Sequence, residues 1–307
     1  MDKVIRTENL CKNFRKVRAV DSISISIEKG EIYGFLGLNG AGKTTTIRML
    51  LGMIRPTSGA AYLNEKRVTA GNPDLWKNVG NLVEIPYSYP DLTVFENLDI
   101  IRRLRYIKDI SAVNGIIEKL GLDPYRNVIA RNLSLGNAQR LGLAKALIHD
   151  PQILILDEPA NGLDPAGIVE IREMLLDLAA NKGVTIFISS HILGEVSRFA
   201  TRIGIIHEGK LILESGISEM EKLRKKSLHV RTQNPDETKA LLESKGYNPL
   251  ITDGGILEIQ KIEAIRNPEN IAALLVHSGF PPNMLVVEEE DLESFFLRVI
   301  SMKGGVE

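Results

Sequence analysis

A glycine-rich stretch near the start of the chain has the residue types that bind the phosphates of a nucleoside triphosphate. Residues 37–44, GLNGAGKT, match the pattern G-x-x-x-x-G-K-[ST] at every fixed position. An apolar segment at 31–36 reads as a buried strand and residues 44–51 read as a helix, so the loop lies at a strand-to-helix turn. There, backbone N–H groups and a helix N-terminus attract anions, and Lys43 adds a full charge. The residues we expect at the phosphates are Gly37, Leu38, Asn39, Gly40, Ala41, Gly42, Lys43, Thr44 and Thr45, with the Thr44 hydroxyl on Mg²⁺.

Two acidic residues and a histidine follow buried strands further along the chain. Asp157 and Glu158 end the apolar run at 153–156, and two acids at the carboxyl end of a buried strand are costly unless they have a function. In a phosphate-loop protein the first acid can hold Mg²⁺ through water, and the second can orient or deprotonate the attacking water. His191 comes after the strand predicted at 184–188, at the kind of sheet edge where open α/β sheets bind ligands.

The elements that position these residues form an α/β frame with two additions. Residues 4–27 alternate in short β-prone runs, which predicts an antiparallel edge sheet, and residues 92–120 are predominantly helical. Phe14, in the edge sheet, could stack on a purine base, although a place in the core is the simpler interpretation. The stretch LSLGN at 133–137 precedes another helix, where Ser134 and Gly136 could form a second phosphate contact or an ordinary N-cap.

The last segment, from about residue 227, has its own pattern of elements. It predicts strands and helices in the order βαββαβ, typical of a small ferredoxin-like α+β domain. The predicted ranges are 227–232, 236–245, 249–252, 256–262, 267–278, 284–288 and 291–300. This part has no cluster of residues that suggests catalysis. We therefore divide the chain into residues 1–220, with a helical subdomain at about 85–150, and an accessory or regulatory domain at 221–307.

Composition excludes several classes of protein. Charged residues are 25% of the 307 residues and the formal net charge is −1, so nothing favours nucleic-acid binding. The single cysteine, Cys11, excludes an internal disulfide, suits a reducing compartment and is expected to be a small packed residue. Residues 1–8 carry charges where a signal peptide would be apolar, and no stretch has the roughly 18 to 20 apolar residues of a membrane-spanning helix. A role in transport would therefore require a separate membrane partner.

Five motifs occur in an order that resembles an ABC-type ATP-binding cassette, over about residues 4–218. They are GLNGAGKT, LSLGN, ILILDEP, NGLDP and SSH. The resemblance implies a P-loop ATPase with a RecA-like α/β core, an antiparallel β subdomain and a helical subdomain. It also implies residue roles: Lys43 on the phosphates, Thr44 and Asp157 on Mg²⁺, Glu158 as catalytic base, His191 as γ-phosphate sensor and Phe14 against adenine.

The same resemblance implies a site shared between two cassettes, most simply in a homodimer. Ser134 and Gly136 would face ATP held by the partner cassette, and Asp164 of the NGLDP motif is counted among the nucleotide-binding residues. Leu135 replaces a glycine that is common in this signature, and Asn137 replaces a common glutamine.

Glu84 narrows the resemblance to one subfamily. It stands where most cassettes carry a glutamine that links Mg²⁺ and the γ-phosphate to the membrane partner, and a glutamate there is typical of bacitracin and lantibiotic exporters. We therefore expect a cytoplasmic, membrane-associated ATPase subunit that works with separate permease subunits and no nucleic acid, and in which Glu84 is a catalytic and metal-binding residue. The alternatives are a solvated loop position for Glu84, and, for the chain, a soluble ABC ATPase acting on ribosomes or DNA, or a nucleoside or metabolite kinase.

Overall fold

The computed structural model describes residues 2–69, 71–84, 87–252 and 254–303. Pro86, a residue type whose fixed φ stiffens a loop, and Asp253, between the strands predicted at 249–252 and 256–262, lie outside these ranges. The chain divides into two compact units, Met1–Ile217 with Val299–Glu307, and Ser218–Arg298. Across the described ranges, no helix is both long enough and apolar enough to cross a membrane.

The elements of the first unit alternate between strands and helices after an initial run of strands. Its strands are β1 (Lys3–Phe14), β2 (Val17–Ile23), β3 (Ser26–Glu28), β4 (Ile32–Leu36), β5 (Ser58–Leu63), β6 (Lys66–Arg67), β7 (Val79–Leu82), β8 (Ile153–Asp157), β9 (Thr185–Ser190), β10 (Arg202–His207) and β11 (Lys210–Gly216). Its helices are α1 (Lys43–Leu50), α2 (Val94–Leu104), α3 (Ser111–Lys119), α4 (Leu135–Leu147), α5 (Pro165–Lys182) and α6 (Leu193–Val196).

A six-stranded sheet in the order β11-β10-β4-β9-β8-β7 forms the centre of this unit. Its strands are parallel except for β11, which pairs antiparallel with β10. Every residue of β4, β8 and β9 is buried, as expected for parallel strands that are covered on both faces. Because parallel strands point the same way, the residues that follow β4, β7, β8 and β9 meet at one edge of the sheet.

The predicted edge sheet and helical insertion are both present. Strands β1, β2, β5 and β6 form an antiparallel sheet with β3 paired to β1. The insertion contains α2 and α3, and α2 begins at a capping box in which Thr93 accepts from the Glu96 N–H and Glu96 accepts from the Thr93 N–H. Cys11 is buried and not in a disulfide, as predicted.

The second unit is built around a four-stranded antiparallel sheet. The elements from residue 217 onward are α7 (Ile217–Leu223), β12 (Lys226–Arg231), α8 (Pro235–Ser244), β13 (Leu250–Ile251), β14 (Leu257–Ile259), α9 (Ile262–Arg266), α10 (Pro268–His277), β15 (Met284–Glu289) and α11 (Leu292–Lys303). The sheet order is β13-β14-β12-β15, with every neighbouring pair antiparallel, which is the arrangement that the βαββαβ order predicts. Leu228, Val230, Leu257 and Ile259 pack with Ile271 and Leu275 of α10 in its core.

Two of these elements, α7 and α9, were not predicted from the sequence. The strand predicted at 256–262 ends at Ile259, and Ile262 begins the five-residue helix α9. Such a helix is too short to show a helical period in the sequence, and its Ala264 is buried. The prediction of a strand reaching Ile262 is therefore wrong.

Candidate functional site

The phosphate loop can follow its path only with glycine at two positions. Gly42 has φ of 109°, and a Cβ there would lie 2.4 Å from the carbonyl oxygen of Ala19. A Cβ on Gly37 would lie 2.5 Å from the carbonyl oxygen of Ile206. Both distances are shorter than any tolerated contact, so the loop between β4 and α1 packs directly against neighbouring backbone.

Lys43 brings a positive charge into this loop. Its side chain is only 7% exposed, and Nζ donates to the Gly37 carbonyl at 2.7 Å and the Leu38 carbonyl at 3.3 Å. Nζ also lies 3.3 Å from Oε1 of Glu158. The loop carbonyls thus hold the ammonium group at the turn where, by sequence, phosphates are expected.

Thr44 and Asp157 place two oxygen donors together at the carboxyl edge of the sheet. The Thr44 hydroxyl donates to Oδ2 of Asp157 at 2.8 Å, and the Ser189 hydroxyl donates to Oδ1 at 2.5 Å. Asp157 is 2% exposed. Mg²⁺ in phosphate sites uses one or two carboxylates together with substrate phosphates and water. The described residues contain no cluster of three or more metal-binding side chains, and this hydroxyl–carboxylate pair fits the donor set of Mg²⁺.

Glu158 is held between a cation and an imidazole. Its Oε1 faces Lys43, and its Oε2 accepts from Nδ1 of His191 at 2.8 Å. Its backbone has φ of 48°, an unfavourable conformation for a residue other than glycine, and Ser189 fixes it by accepting the Glu158 N–H at both its carbonyl oxygen, 3.2 Å, and its hydroxyl, 3.1 Å. The side chain is 18% exposed. The structure therefore brings Lys43, Thr44, Asp157, Glu158 and His191 together in one connected group.

Ser134, Gly136 and Asp164 form a second group, at the starts of two helices. The Ser134 hydroxyl accepts the Asn137 N–H at 3.3 Å, and Oδ1 of Asp164 accepts the Gly167 N–H at 2.9 Å, so both side chains are N-caps. A Cβ on Gly136 would lie 2.9 Å from the Gly162 carbonyl oxygen, so the start of α4 packs against the turn before α5.

Phe14 is at the end of β1, next to the turn into β2. Its side chain is 47% exposed, and the Nζ of Lys12 lies 5.0 Å from the ring centre. The interpretation of Phe14 as a core residue is therefore wrong, because the end of this hairpin extends into solvent. The exposed ring is accessible to a planar ligand, and its role with adenine stays a prediction.

Glu84 lies two residues beyond β7 and forms an ion pair that the sequence analysis did not anticipate. Its Oε1 is 2.7 Å from Nη2 of Arg48 on α1. Glu84 is about half exposed and has φ of 55°.

Three residues of the site were missed: Ser189, Gln139 and Arg48. The side chain of Gln139 on α4 donates to the Glu158 carbonyl at 3.2 Å. The pairing of β8 with β9 places Ser189 opposite Asp157. Ser189 is part of the SSH motif, which could have identified it as a site residue. Arg48 and Gln139 belong to no motif and are marked only by their positions on α1 and α4.

Comparisons with known proteins agree with this geometry. The family model described as "ABC transporter" matches residues 20–161. The bacitracin transport ATP-binding protein BcrA of Bacillus licheniformis is 38% identical over 307 residues, which cover 99% of each chain. The lantibiotic transport ATP-binding protein SrtF of Streptococcus pyogenes is 38% identical over 72% of this chain and 94% of its own.

A solved structure shows the same fold. An ATP-binding cassette of an ABC transporter, in its ADP conformation, is 29% identical and superimposes with a TM-score of 0.61 over 72% of this chain and 95% of that chain. The same family is indicated by the fold, by the connected group of site residues, and by the sequence identity over whole chains. This chain belongs to the ABC transporter family of ATP-binding proteins.

Proposed function

We propose that this chain is the ATP-hydrolysing subunit of a bacterial ABC exporter that removes an antimicrobial peptide of the bacitracin or lantibiotic type. The observation that carries the proposal is the similarity to a bacitracin transport ATP-binding protein, which extends over the whole chain and therefore includes both units. Glu84 supports the same subfamily. The chain would sit at the inner face of the cell membrane, held by permease subunits that are separate chains.

The phosphate loop and its surroundings would bind ATP. Lys43, now held by the Gly37 and Leu38 carbonyls, would exchange these acceptors for phosphate oxygens, which are stronger partners for an ammonium group. Phe14 would stack on adenine. Thr44 and Asp157 would hold Mg²⁺, which when bound neutralises charge on the phosphates.

Glu158 would act as the general base. Its carboxylate would accept a proton from the attacking water, and the backbone contacts from Ser189 fix its position. His191 already contacts Oε2 of Glu158 and would sense the γ-phosphate from the same position. Fixed N–H groups and the Lys43 charge would stabilise the charge that develops on the phosphoryl group, usually the largest contribution to the rate.

Two cassettes would share each ATP. Ser134, Gly136 and Asp164 do not belong to the connected group around Lys43, and they would complete the site of the partner cassette. The Gln139 hydrogen bond to the Glu158 carbonyl links the two groups within one chain. ATP would close the dimer, and hydrolysis would reopen it.

The Glu158→Gln variant tests this proposal. It keeps the size of the side chain and one oxygen acceptor but removes the base, so we expect ATP binding with hydrolysis reduced by about 10²- to 10⁴-fold. It should also accumulate as an ATP-dependent dimer, which size-exclusion chromatography with Mg·ATP would detect. Wild-type protein that neither binds nor hydrolyses ATP, or a monomeric variant with normal turnover, would contradict the proposal.

A further inference from the structure

Arg48 lies next to the proposed metal donors on the same helix. It follows Thr44 by four residues on α1, so the two side chains project from the same face with Cβ atoms about 5–6 Å apart. The Thr44 hydroxyl is bonded to Asp157, whereas the Arg48 guanidinium is bonded to Glu84. The Thr44–Asp157 hydrogen bond and the Arg48–Glu84 ion pair are thus formed by neighbouring positions on one face of α1.

Glu84 leaves the sheet at the correct edge to reach those oxygen atoms. Strand β7 runs parallel to β8, and their register places Leu82 opposite Leu156. The next residue on β8 is Asp157, so the segment from Leu82 to Glu84 passes beside it. The ion pair with Arg48 holds the Glu84 carboxylate at a position four residues beyond Thr44 on α1.

The loop beyond Glu84 is anchored more firmly than Glu84 itself. The Tyr87 carbonyl accepts from Nζ of Lys145 at 2.7 Å. The completely buried side chain of Asn97 accepts the Tyr89 N–H at 2.9 Å and donates to the Tyr89 carbonyl at 3.1 Å. Tyr87 and Tyr89 are therefore fixed by α4 and α2, whereas Glu84 is held by the exposed ion pair with Arg48.

The ion pair between Arg48 and Glu84 is weak enough for Mg²⁺ to replace Arg48 as the partner of the carboxylate. The side chains of Arg48 and Glu84 are 40% and 52% exposed, and exposed ion pairs contribute little because water screens them. The left-handed backbone of Glu84, φ of 55°, is unfavourable for a glutamate. A carboxylate is also a preferred ligand of Mg²⁺, which carries twice the charge of a guanidinium.

We propose that Arg48 is a positioning residue that holds Glu84 away from the Thr44–Asp157 pair and releases it when Mg²⁺ and ATP bind. This inference rests on the proposed function, in which Mg·ATP occupies that pair. Arg48 and the metal compete for one carboxylate, so the ion pair sets the Mg²⁺ concentration at which Glu84 is released.

A double-mutant cycle on the full-length protein tests the competition. Calorimetry of a non-hydrolysable ATP analogue, repeated at a series of Mg²⁺ concentrations, gives the half-saturating Mg²⁺ for wild type, Arg48→Gln, Glu84→Gln and the double variant. We expect Arg48→Gln to lower the half-saturating Mg²⁺ concentration about 3- to 10-fold and Glu84→Gln to raise it. In the Glu84→Gln background, Arg48→Gln should change the concentration less than about 2-fold. Arg103→Gln is the matched control, because Arg103 is an exposed arginine paired with Asp99 on α2.

The cycle separates competition from a general charge effect. If Arg48→Gln has no effect on the half-saturating Mg²⁺, or lowers it equally with and without Glu84, the inference is wrong. If Arg48→Gln does not fold, Arg48→Lys replaces it and should shift the concentration in the same direction, because a lysine ammonium group is strongly hydrated and holds the Glu84 carboxylate less well. Wild-type protein that binds no analogue at any Mg²⁺ concentration would contradict the proposed function itself.

Discussion

At the scale of single residues, burial changes the chemistry of a histidine outside the nucleotide site. Burial, with the nearby charge of Arg105, lowers the pKa of His149 from its ordinary 6.5 to about 4. Its Nε2 is 3.1 Å from the Val79 carbonyl oxygen, and its Nδ1 is buried without a hydrogen-bond partner among the described residues. The imidazole is therefore neutral in the folded protein, with its proton on Nε2.

His149 should make stability depend on pH. The folded-state pKa lies below the unfolded one, so between pH 6.5 and 4 the unfolded chain binds more protons. The contribution of neutral His149 to the free energy of unfolding is fully present above pH 6.5 and is lost as the pH falls toward 4. Denaturant unfolding at several pH values would measure this loss of stability. The His149→Gln variant keeps a donor for the Val79 carbonyl but does not titrate, so it should lose less stability over the same pH range. An identical pH profile for the variant would contradict the assignment.

Single residues also show where sequence reasoning succeeds and where it stops. Lys43, Thr44, Asp157, Glu158 and His191 were predicted from motifs, and the structure joins them by direct contacts, although their roles in catalysis stay proposals. The Arg48–Glu84 pair could not be predicted, because its members are 36 residues apart and no motif connects them. Its existence depends on the pairing of β7 with β8, the strand that α1 contacts.

At the scale of elements, the phosphate loop requires glycine for two different reasons. Gly40 has φ of 81° but open space around it, whereas Gly42 has both a positive φ and the Ala19 carbonyl oxygen 2.4 Å from where a Cβ would lie. An alanine at Gly40 would therefore add only the energy of an unfavourable backbone conformation, whereas an alanine at Gly42 would also add the energy of a steric clash.

Alanine substitutions at these two glycines should differ. We expect Gly40→Ala to lower the free energy of unfolding by about 1–2 kcal/mol, the cost of the left-handed conformation. Gly42→Ala should lower it by roughly another 1–3 kcal/mol through overpacking, and should impair ATP binding more strongly. Denaturant unfolding and nucleotide titration of both variants provide the measurement. Equal effects of the two substitutions would mean that the Ala19 contact is unimportant.

Elements with a clear period were predicted well, and the others were not. The continuous apolar runs that became β4, β8 and β9, and the capped helix α2, carry strong local signals. Helix α9 has five residues, and Phe14 sits on a hairpin whose exposure depends on the surrounding chain. Local sequence does not contain that information.

At the scale of the whole molecule, every residue proposed to contact nucleotide lies before Ser218. We predict that a chain ending at Ser218 keeps ATP binding and loses dimer stability or coupling to the permease. Binding of an ATP analogue by the folded, truncated protein, compared with the full chain, would measure this. A truncated protein that folds but binds no analogue would show that residues after Ser218 contribute to nucleotide binding, and the proposed boundary at about residue 220 would be wrong.

The central claim is that ATP hydrolysis by this chain powers removal of an antimicrobial peptide. The most direct measurement is the resistance of cells that carry the whole transporter to bacitracin and to a lantibiotic, with wild-type chain or with Glu158→Gln at equal abundance, and with an unrelated antibiotic as control. We expect cells with the wild-type chain, but not cells with Glu158→Gln, to show raised resistance to one of the peptides. Unchanged sensitivity to both peptides with the wild-type chain, or full resistance with Glu158→Gln, would contradict it.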